Sequence, residues 1–144
     1  MFEFQYVELM NWAFWPTSKL PLDQKIIMIA GPNGSGKTTF LDALRTVLRV
    51  PRLSANRKYT DYLNADVDTS VIRAVVLNRS YENNTRSFDF LGFSSEQVTL
   101  AVIMKRKSGR WDKRFAVLEG DRSLDDLRKV RYSDLFSEKL LQRH

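Results

Sequence analysis

The stretch Ile26–Leu48 limits the folds that this chain can adopt more than any other part of the sequence does. Residues 26–30 are continuously apolar, as is typical of a strand buried on both faces of a sheet. They lead directly into the sequence GPNGSGKT at residues 31–38, which matches the phosphate-loop pattern G-x-x-x-x-G-K-[ST] in full. Strand, glycine loop and helix in this order predict a phosphate-binding loop, and a glycine-rich turn without a ligand is the disfavoured alternative. The apolar residues of the predicted helix recur at helical spacing: Phe40, Leu41, Leu44, Val47 and Leu48.

The residue types of this loop suit ATP and a magnesium ion. Glycines allow successive backbone N–H groups to point at one anion, and the following helix directs its positive end to the same place. Lys37 is predicted to reach the β- and γ-phosphates, and the Thr38 hydroxyl is predicted to bind Mg²⁺. The nucleotide contacts predicted from the motif are Gly31, Pro32, Asn33, Gly34, Ser35, Gly36, Lys37, Thr38 and Thr39.

The N-terminal residues predict a strand followed by an unusually aromatic segment. Phe2, Phe4 and Tyr6 alternate with polar residues, and the alternation then shifts by one residue, which predicts a bulge or burial on both sides. The segment 11–16, NWAFWP, either packs over the edge of the core or offers a ring to a nucleotide base. Asn11 and Trp12 are the candidates for the second alternative. Residues 20–23 predict a turn before the phosphate-loop strand.

Composition excludes several classes of site. The 144 residues predict one domain with a core of its own, and they include no cysteine, so disulfides and thiolate chemistry are excluded. The only histidine is His144, which excludes histidine-based catalysis. Residues 1–4 do not resemble a signal peptide, and no apolar run is long enough to span a membrane. We therefore expect a cytoplasmic protein.

The positive charge is concentrated in the middle third. Residues 51–114 carry 12 basic and 7 acidic side chains, so they account for five of the six net positive charges. Residues 98–107 and 110–118 predict a β-hairpin closed by Ser108-Gly109, with Trp111 among the basic residues of its tip. This pattern is typical of a nucleic-acid contact, and a charged, solvated tip is the alternative. The candidate DNA contacts are Arg57, Lys58, Lys105, Arg106, Lys107 and Arg110.

Other elements follow from local signals. The first helix should end near Arg49, because Pro51 disfavours helical geometry at the residue before it. Residues 71–77 predict a strand, residues 78–87 a turn or loop, and Ser123 to Asp126 a capping box that opens a helix. A second helical stripe is predicted from Leu135, Phe136, Leu140 and Leu141.

A phosphate-loop ATPase also needs an acidic residue at the end of a buried strand to hold magnesium. The apolar run 75–77 ends in Asn78, and the run 98–104 ends in Lys105. Residues 115–118 lead to Glu119, but on a hairpin strand rather than beside the phosphate loop. No catalytic residue is therefore predicted within this chain, and the isolated chain is expected to bind ATP without hydrolysing it.

The chain resembles the N-terminal half of the ATPase head of the SMC (structural maintenance of chromosomes) family and its double-strand-break-repair relatives. The resemblance rests on the opening strand Phe4–Asn11, on GPNGSGKTTFLDAL at residues 31–44, and on RFAVLEGD at residues 114–121. Ser54 and Arg57 lie where that family has a basic arginine loop. Met10-Asn11-Trp12 and the Val50-Pro51 step are similar to the SMC-like subunit of Wadjet-type plasmid-defence systems.

The resemblance implies an α/β fold of the P-loop NTPase type, an ABC-type half-head with a mixed sheet. It also implies N-terminal antiparallel strands, a β-hairpin and a C-terminal helix that leads toward a coiled coil. It implies that a C-terminal half of the same polypeptide supplies the signature motif and the catalytic acids, and that two heads enclose two ATP molecules. Gln142 is the only glutamine near the place of the family's glutamine loop. Double-stranded DNA, a second head, and kleisin-like or nuclease subunits are the implied partners, in repair, chromosome maintenance or defence.

Two other classes of function remain open from the sequence. A self-contained phosphate-loop kinase for a small molecule could use the basic hairpin as its lid, but it would need its own magnesium acid. The third alternative is a nucleotide-sensing or DNA-binding module that does not hydrolyse ATP.

Overall fold

A computed structural model describes residues 3–13, 15–21, 37–50, 52–129 and 136–137. The predicted strand at residues 26–30, the glycine loop at 31–36 and Gln142 lie outside these residues. Within the described part, no helix has the length and apolar character needed to cross a lipid bilayer. The elements in chain order are β1 (Phe4–Trp12), β2 (Trp15–Pro21), α1 (Lys37–Val47), β3 (Thr69–Leu77), β4 (Gln97–Lys107), β5 (Arg110–Glu119), α2 (Leu124–Lys129) and β6 (Phe136–Ser137).

The described strands form one sheet in the order β2-β1-β3-β4-β5-β6. Every neighbouring pair is antiparallel, so the predicted N-terminal antiparallel strands and the β4–β5 hairpin are confirmed. The bulge expected near the N-terminus is also confirmed, because the register of β1 against β3 shifts between Phe4 and Tyr6. A mixed sheet needs a parallel pair, and none occurs among the described strands.

Each face of the sheet carries its own core, as the two-residue period of the strands requires. On the face that we call the α1 face, Leu9, Ile72 and Val102 pack with Phe40 and Val47 of α1. On the opposite face, which we call the α2 face, the buried residues are Met10, Val71, Ala101, Ile103, Ala116 and, from α2, Leu127. The helix that follows the phosphate loop is therefore held against one face of the sheet alone.

Most of the local predictions are confirmed. Helix α1 ends at Val47, followed by a turn whose Arg49 has a φ of 60°, and β3 covers the predicted strand. The capping box is present, since Asp126 N–H donates to Ser123 Oγ at 3.1 Å and Ser123 N–H donates to the Asp126 carboxylate at 3.2 Å. Short 3₁₀ turns occur at Ser54–Asn56, Tyr59–Tyr62 and Asp89–Leu91.

The turn predicted at residues 20–23 is wrong for residues 20 and 21, which belong to β2. This strand contains Pro16 and Pro21, and proline disfavours a strand because it has no N–H group for the ladder. Proline is tolerated here because β2 is the edge strand of the described sheet and pairs with β1 alone.

The helical stripe predicted near the C-terminus is wrong at Phe136 and Ser137, which pair with Phe115 and Arg114 of β5 as strand β6. An apolar pair such as Leu-Phe fits a strand as well as a helix. The outer edge of β5 offers backbone N–H and C=O groups for pairing, and this pairing makes residues 136 and 137 a strand. The other residues of the stripe lie outside the described part of the chain.

Candidate nucleotide-binding site

Helix α1 begins inside the phosphate-loop motif, at Lys37. Its first turn has backbone N–H groups without partners in the helix, and these are the groups that bind an anion in such motifs. Thr38 is exposed there, as a magnesium ligand must be, while Thr39 is half-buried. The contacts predicted for Gly31, Pro32, Asn33, Gly34, Ser35 and Gly36 lie outside the described residues and stay predictions.

Trp12 fixes this first turn to the end of β1. Its indole Nε1–H donates to the carbonyl oxygen of Thr39 at 3.0 Å, and the side chain is fully buried. The ring stacks on Tyr62, with the centroids 4.9 Å apart. The sequence leaves two alternatives for the aromatic segment, packing against the core or contact with a nucleotide base. In this structure the Trp12 side chain packs against the core. Asn11 donates from Nδ2 to the Thr69 carbonyl at 3.1 Å, and base contacts by Asn11 and Trp12 stay predictions.

Asp42, one turn further along α1, is the centre of a buried polar cluster. Its Oδ1 accepts hydrogen bonds from Arg45 Nη1 at 2.7 Å and from both N–H and Oγ of Ser54 at 3.0 Å. Its Oδ2 accepts a short hydrogen bond from the Tyr62 hydroxyl. The carboxylate has no exposed surface, so these donors replace its water. The segment 54–62 is thereby bound to the phosphate-loop helix.

The electrostatics of this cluster favour an ionised Asp42. Burial by itself would raise the pKa of the carboxyl group, but the hydrogen bonds from Tyr62, Ser54 and Arg45 outweigh it and lower the pKa below its ordinary value. The pKa of Tyr62 is raised, first by burial and then by its hydrogen bond to Asp42. The Tyr62 hydroxyl therefore stays protonated and remains a donor to the carboxylate.

The candidate DNA contacts Arg57 and Lys58 lie at the outer end of this cluster, and both are exposed. Arg57 Nη1 donates to the Tyr62 hydroxyl at 3.2 Å, and its guanidinium lies 6.0 Å from the centre of the Tyr62 ring. Lys58 N–H donates to Asp61 at 2.9 Å and begins the 3₁₀ turn. The residues just before Arg57 hold a left-handed conformation, with φ of 54° at Ala55 and 57° at Asn56.

The basic hairpin tip divides between the two faces of the sheet. Ser108 and Gly109 both have positive φ, 53° and 76°, as a tight two-residue turn requires. Cross-strand partners share a face, so Arg106 lies beside Trp111, and Lys107 lies beside Arg110 on the other side. The α1 face thus receives Arg106, and the α2 face receives Lys105, Lys107 and Arg110. The predicted DNA set is not one continuous surface.

On the α1 face the tip carries cations stacked on aromatic rings. Arg106 lies 5.8 Å from the ring centre of Trp111, and Lys113 lies 4.7 Å from that of Tyr59. Arg49, at the end of α1, lies 5.3 Å from the ring centre of Phe115. This face of the hairpin therefore contacts the 3₁₀ turn Tyr59–Tyr62 and the turn that follows α1.

A second buried charge lies on the α2 face. Arg73 of β3 donates to Glu8 at 2.7 and 3.0 Å, to the Tyr6 hydroxyl at 3.0 Å and to Asp121 at 2.7 Å. It also donates to the carbonyl oxygen of Arg122 at 2.8 Å. The side chain is only 4% exposed, so the cluster ties β1 and β3 to the segment that leads into α2.

Two of the three residues that follow apolar runs, Asn78 and Glu119, have structural roles. Asn78 accepts a hydrogen bond from Phe88 N–H at 2.9 Å and donates to the carbonyls of Phe93 and Ser95, so it organises the loop between β3 and β4. Glu119 accepts from Ser95 Oγ at 2.8 Å. No group of three or more potential metal ligands occurs among the described residues.

Sequence reasoning missed the part that Tyr62 plays and the partnership of Ser54 with Asp42. One signal was available: Asp42 is an acidic residue in the middle of an apolar helical segment, FLDAL, and a buried carboxylate needs several donors. Which donors bind the Asp42 carboxylate depends on the path of residues 52–63, and no local sequence pattern predicts that path.

One family model matches the chain, over residues 4–58, and it is described as the P-loop containing region of an AAA domain. No curated protein matches the chain significantly. The matched region begins with β1, contains the phosphate-loop motif and α1, and ends just after Arg57. The chain therefore carries a P-loop, AAA-like nucleotide-binding region at its N-terminus.

Proposed function

We propose that the chain is the ATP-binding, N-terminal half of an SMC-like ATPase head, which couples ATP-dependent engagement of two heads to DNA binding. The observation that supports this most is the complete phosphate-loop motif inside the matched region 4–58, followed by a helix that begins at Lys37. In this proposal Lys37 binds the β- and γ-phosphates, and Thr38 binds Mg²⁺, which neutralises charge on the phosphates.

The exposure of Thr38 suits such a ligand, as do the N–H groups of the first helical turn, which have no partner within the helix. The residue after β3 is Asn78 rather than an acid, and its amide is used within the loop 78–95, which supports a division of labour with a second half-head. We propose that this second half comes from the same polypeptide, and that kleisin-like or nuclease subunits use the engaged state in DNA repair, chromosome maintenance or defence.

DNA contact is proposed for the basic middle third. Lysine and arginine bind phosphates without reading bases, so binding should depend steeply on salt and little on sequence. The candidate contacts are Arg57, Lys58, Lys105, Arg106, Lys107 and Arg110. Because the hairpin residues divide between two faces of the sheet, we propose that one duplex contacts the α1-side members Arg57, Lys58 and Arg106.

Nucleotide binding is tested by titrating a fluorescent ATP analogue with Mg²⁺ into the chain and its Lys37→Ala and Thr38→Ala variants. We expect Lys37→Ala to weaken binding by about two orders of magnitude, because it removes a charged donor from the phosphates. Lys107→Ala removes the same charge from an exposed site on the hairpin and should bind the nucleotide like the wild type. Equal affinity of the wild type and Lys37→Ala would contradict the proposal.

Hydrolysis separates the proposal from a stand-alone enzyme. We expect the isolated chain to bind ATP but to release no phosphate above background, and the protein that includes the second half to hydrolyse ATP in a Lys37-dependent way. Lys37-dependent phosphate release or transfer by the isolated chain would instead identify a self-contained ATPase or kinase.

A further inference from the structure

Asp42 and Thr38 lie on the same side of α1, because residues four apart in a helix are neighbours separated by one turn. Side chains also tilt toward the helix N-terminus, so the Asp42 carboxylate is directed at the turn that contains Thr38. Whatever is bound to Asp42 is thus held beside the phosphate-binding end of the helix.

Tyr62 is the side chain bound there, and three contacts fix its position. Its hydroxyl donates to Asp42, its ring stacks on Trp12, and its backbone carbonyl accepts a hydrogen bond from Ala13 N–H at 2.7 Å. Trp12 is in turn bonded to Thr39 in the first turn of α1. The hydroxyl of Tyr62 is therefore a fixed point relative to the phosphate loop's helix.

Arg57 is attached to that fixed point by one hydrogen bond, at 3.2 Å, and is otherwise exposed. A guanidinium has five N–H groups, and the described contacts of Arg57 occupy one of them. The residue is exposed, so the remaining donors are accessible to a ligand. An arginine that is oriented but not satisfied is suited to a phosphate, whose oxygens accept two parallel donors.

We propose that Tyr62, anchored by Asp42, is a positioning residue that orients Arg57 to bind a phosphate beside the N-terminal end of α1. The inference rests on the proposed function and adds to it the residues that preorganise the arginine. The phosphate belongs either to the bound nucleotide or to a nucleic-acid backbone, and separate titrations distinguish these two sources.

The test is a double-mutant cycle in the full-length protein with Arg57→Ala, Tyr62→Phe and the combined variant. Affinities are measured for a fluorescent ATP analogue with Mg²⁺ and, separately, for a labelled DNA duplex. We expect Arg57→Ala to weaken one of these ligands by about tenfold, as loss of a charged hydrogen bond does. Tyr62→Phe should weaken the same ligand by a large part of that factor, and the combined variant should equal Arg57→Ala alone.

Tyr81→Phe is the matched control, because it removes the same hydroxyl group from an exposed tyrosine of the β3–β4 loop, whose hydroxyl lies within hydrogen-bond distance of Ser87. It should leave both affinities unchanged. The proposal is overturned if Arg57→Ala affects neither ligand, if Tyr62→Phe affects neither, or if Tyr62→Phe weakens binding by the same factor with and without Arg57.

Arg57→Lys also tests whether an oriented guanidinium is needed. Arg57 is exposed, so this test is independent of whether Tyr62→Phe folds stably. Lysine keeps the charge but loses the planar fork, so an oriented guanidinium predicts a loss close to that of Arg57→Ala. Wild-type affinity of Arg57→Lys would overturn the proposal. If the wild type itself bound no ATP, the proposed nucleotide function would fail, and the positioning role would be decided by the duplex titration.

Discussion

Among the described residues, each face of the sheet buries one charged side chain, and the two charges find their partners at very different distances along the chain. Asp42, on the α1 face, takes its donors from residues 45, 54 and 62. Arg73, on the α2 face, takes its acceptors from residues 6, 8, 121 and 122, which are 48 to 67 positions away. The first cluster organises one segment around α1, whereas the second joins distant parts of the fold.

The two clusters also differ in whether their hydrogen bonds lead to an exposed cation. Arg73 donates from Nε, Nη1 and Nη2, and its acceptors lie in β1 and in residues 121 and 122, which lead into α2. The chain of contacts from Asp42 passes through Tyr62 and ends at Arg57, which is exposed. A buried cation with several acceptors stabilises the fold, whereas an exposed cation such as Arg57 lies where a ligand can reach it.

The largest expected effect is that of Arg73→Met, which keeps the bulk of the side chain and removes its charge. Glu8 would be left half-buried without its partner, and breaking such a pair typically costs about 3 kcal/mol of unfolding free energy. Chemical denaturation at neutral pH measures this loss. Arg79→Met is the control, because Arg79 and Glu3 form an exposed pair whose removal should cost less than about 1 kcal/mol. Equal losses in the two variants would mean that the buried Arg73 cluster stabilises the fold no more than an exposed ion pair does.

A smaller loss, about 1–3 kcal/mol, is expected for Asp42→Asn, since the amide keeps the shape but weakens several charge-assisted hydrogen bonds. The folded pKa of Asp42 lies below its ordinary value of 3.8, so its ionised form stabilises the fold above that pH. The advantage of the wild type over Asp42→Asn should therefore be constant above about pH 5 and shrink as the pH falls through 3.8 toward the folded pKa. A stability difference that does not change on acidification would show that the charge of Asp42 contributes nothing.

The smallest expected effect is a change in the salt dependence of DNA binding, and it tests which face of the sheet contacts DNA. Each lost phosphate contact lowers the magnitude of the log–log salt slope by about 0.9 on duplex DNA. We expect Arg57→Ala with Arg106→Ala, both on the α1 side, to reduce the slope by nearly two such steps. Lys105→Ala, Lys107→Ala and Arg110→Ala together remove more charge from the α2 face and should leave the slope unchanged. The opposite result would assign DNA to the α2 face and separate it from Arg57.

The elements that the sequence predicts correctly are those encoded within a few residues. The pair Ser108-Gly109 supplies two residues that tolerate positive φ, and Ser123 with Asp126 completes a capping box three residues apart. Strand β3 follows from a β-branched run. In each case the deciding interaction lies between near neighbours, so its pattern is visible without the fold.

The features that were missed depend on residues brought together by the sheet. β2 is a strand because β1 offers it an edge, although its two prolines argue against one. β6 is a strand because β5 is beside it. The role of Tyr62 follows from its stacking on Trp12, 50 residues earlier, and no spacing rule links the two. Within the candidate site, the motif residues were predicted and the network that surrounds their helix was not.

The strand order has a consequence for how the chain acquires its structure during synthesis. β1 leaves the ribosome before the other strands, yet it lies between β2 and β3 and pairs with β3 across more than 60 intervening residues. Residues 31–38 are synthesised during that interval, before β3 exists. Because β1 can pair with β3 only after β3 has been synthesised, the sheet against which α1 packs cannot be complete before that point.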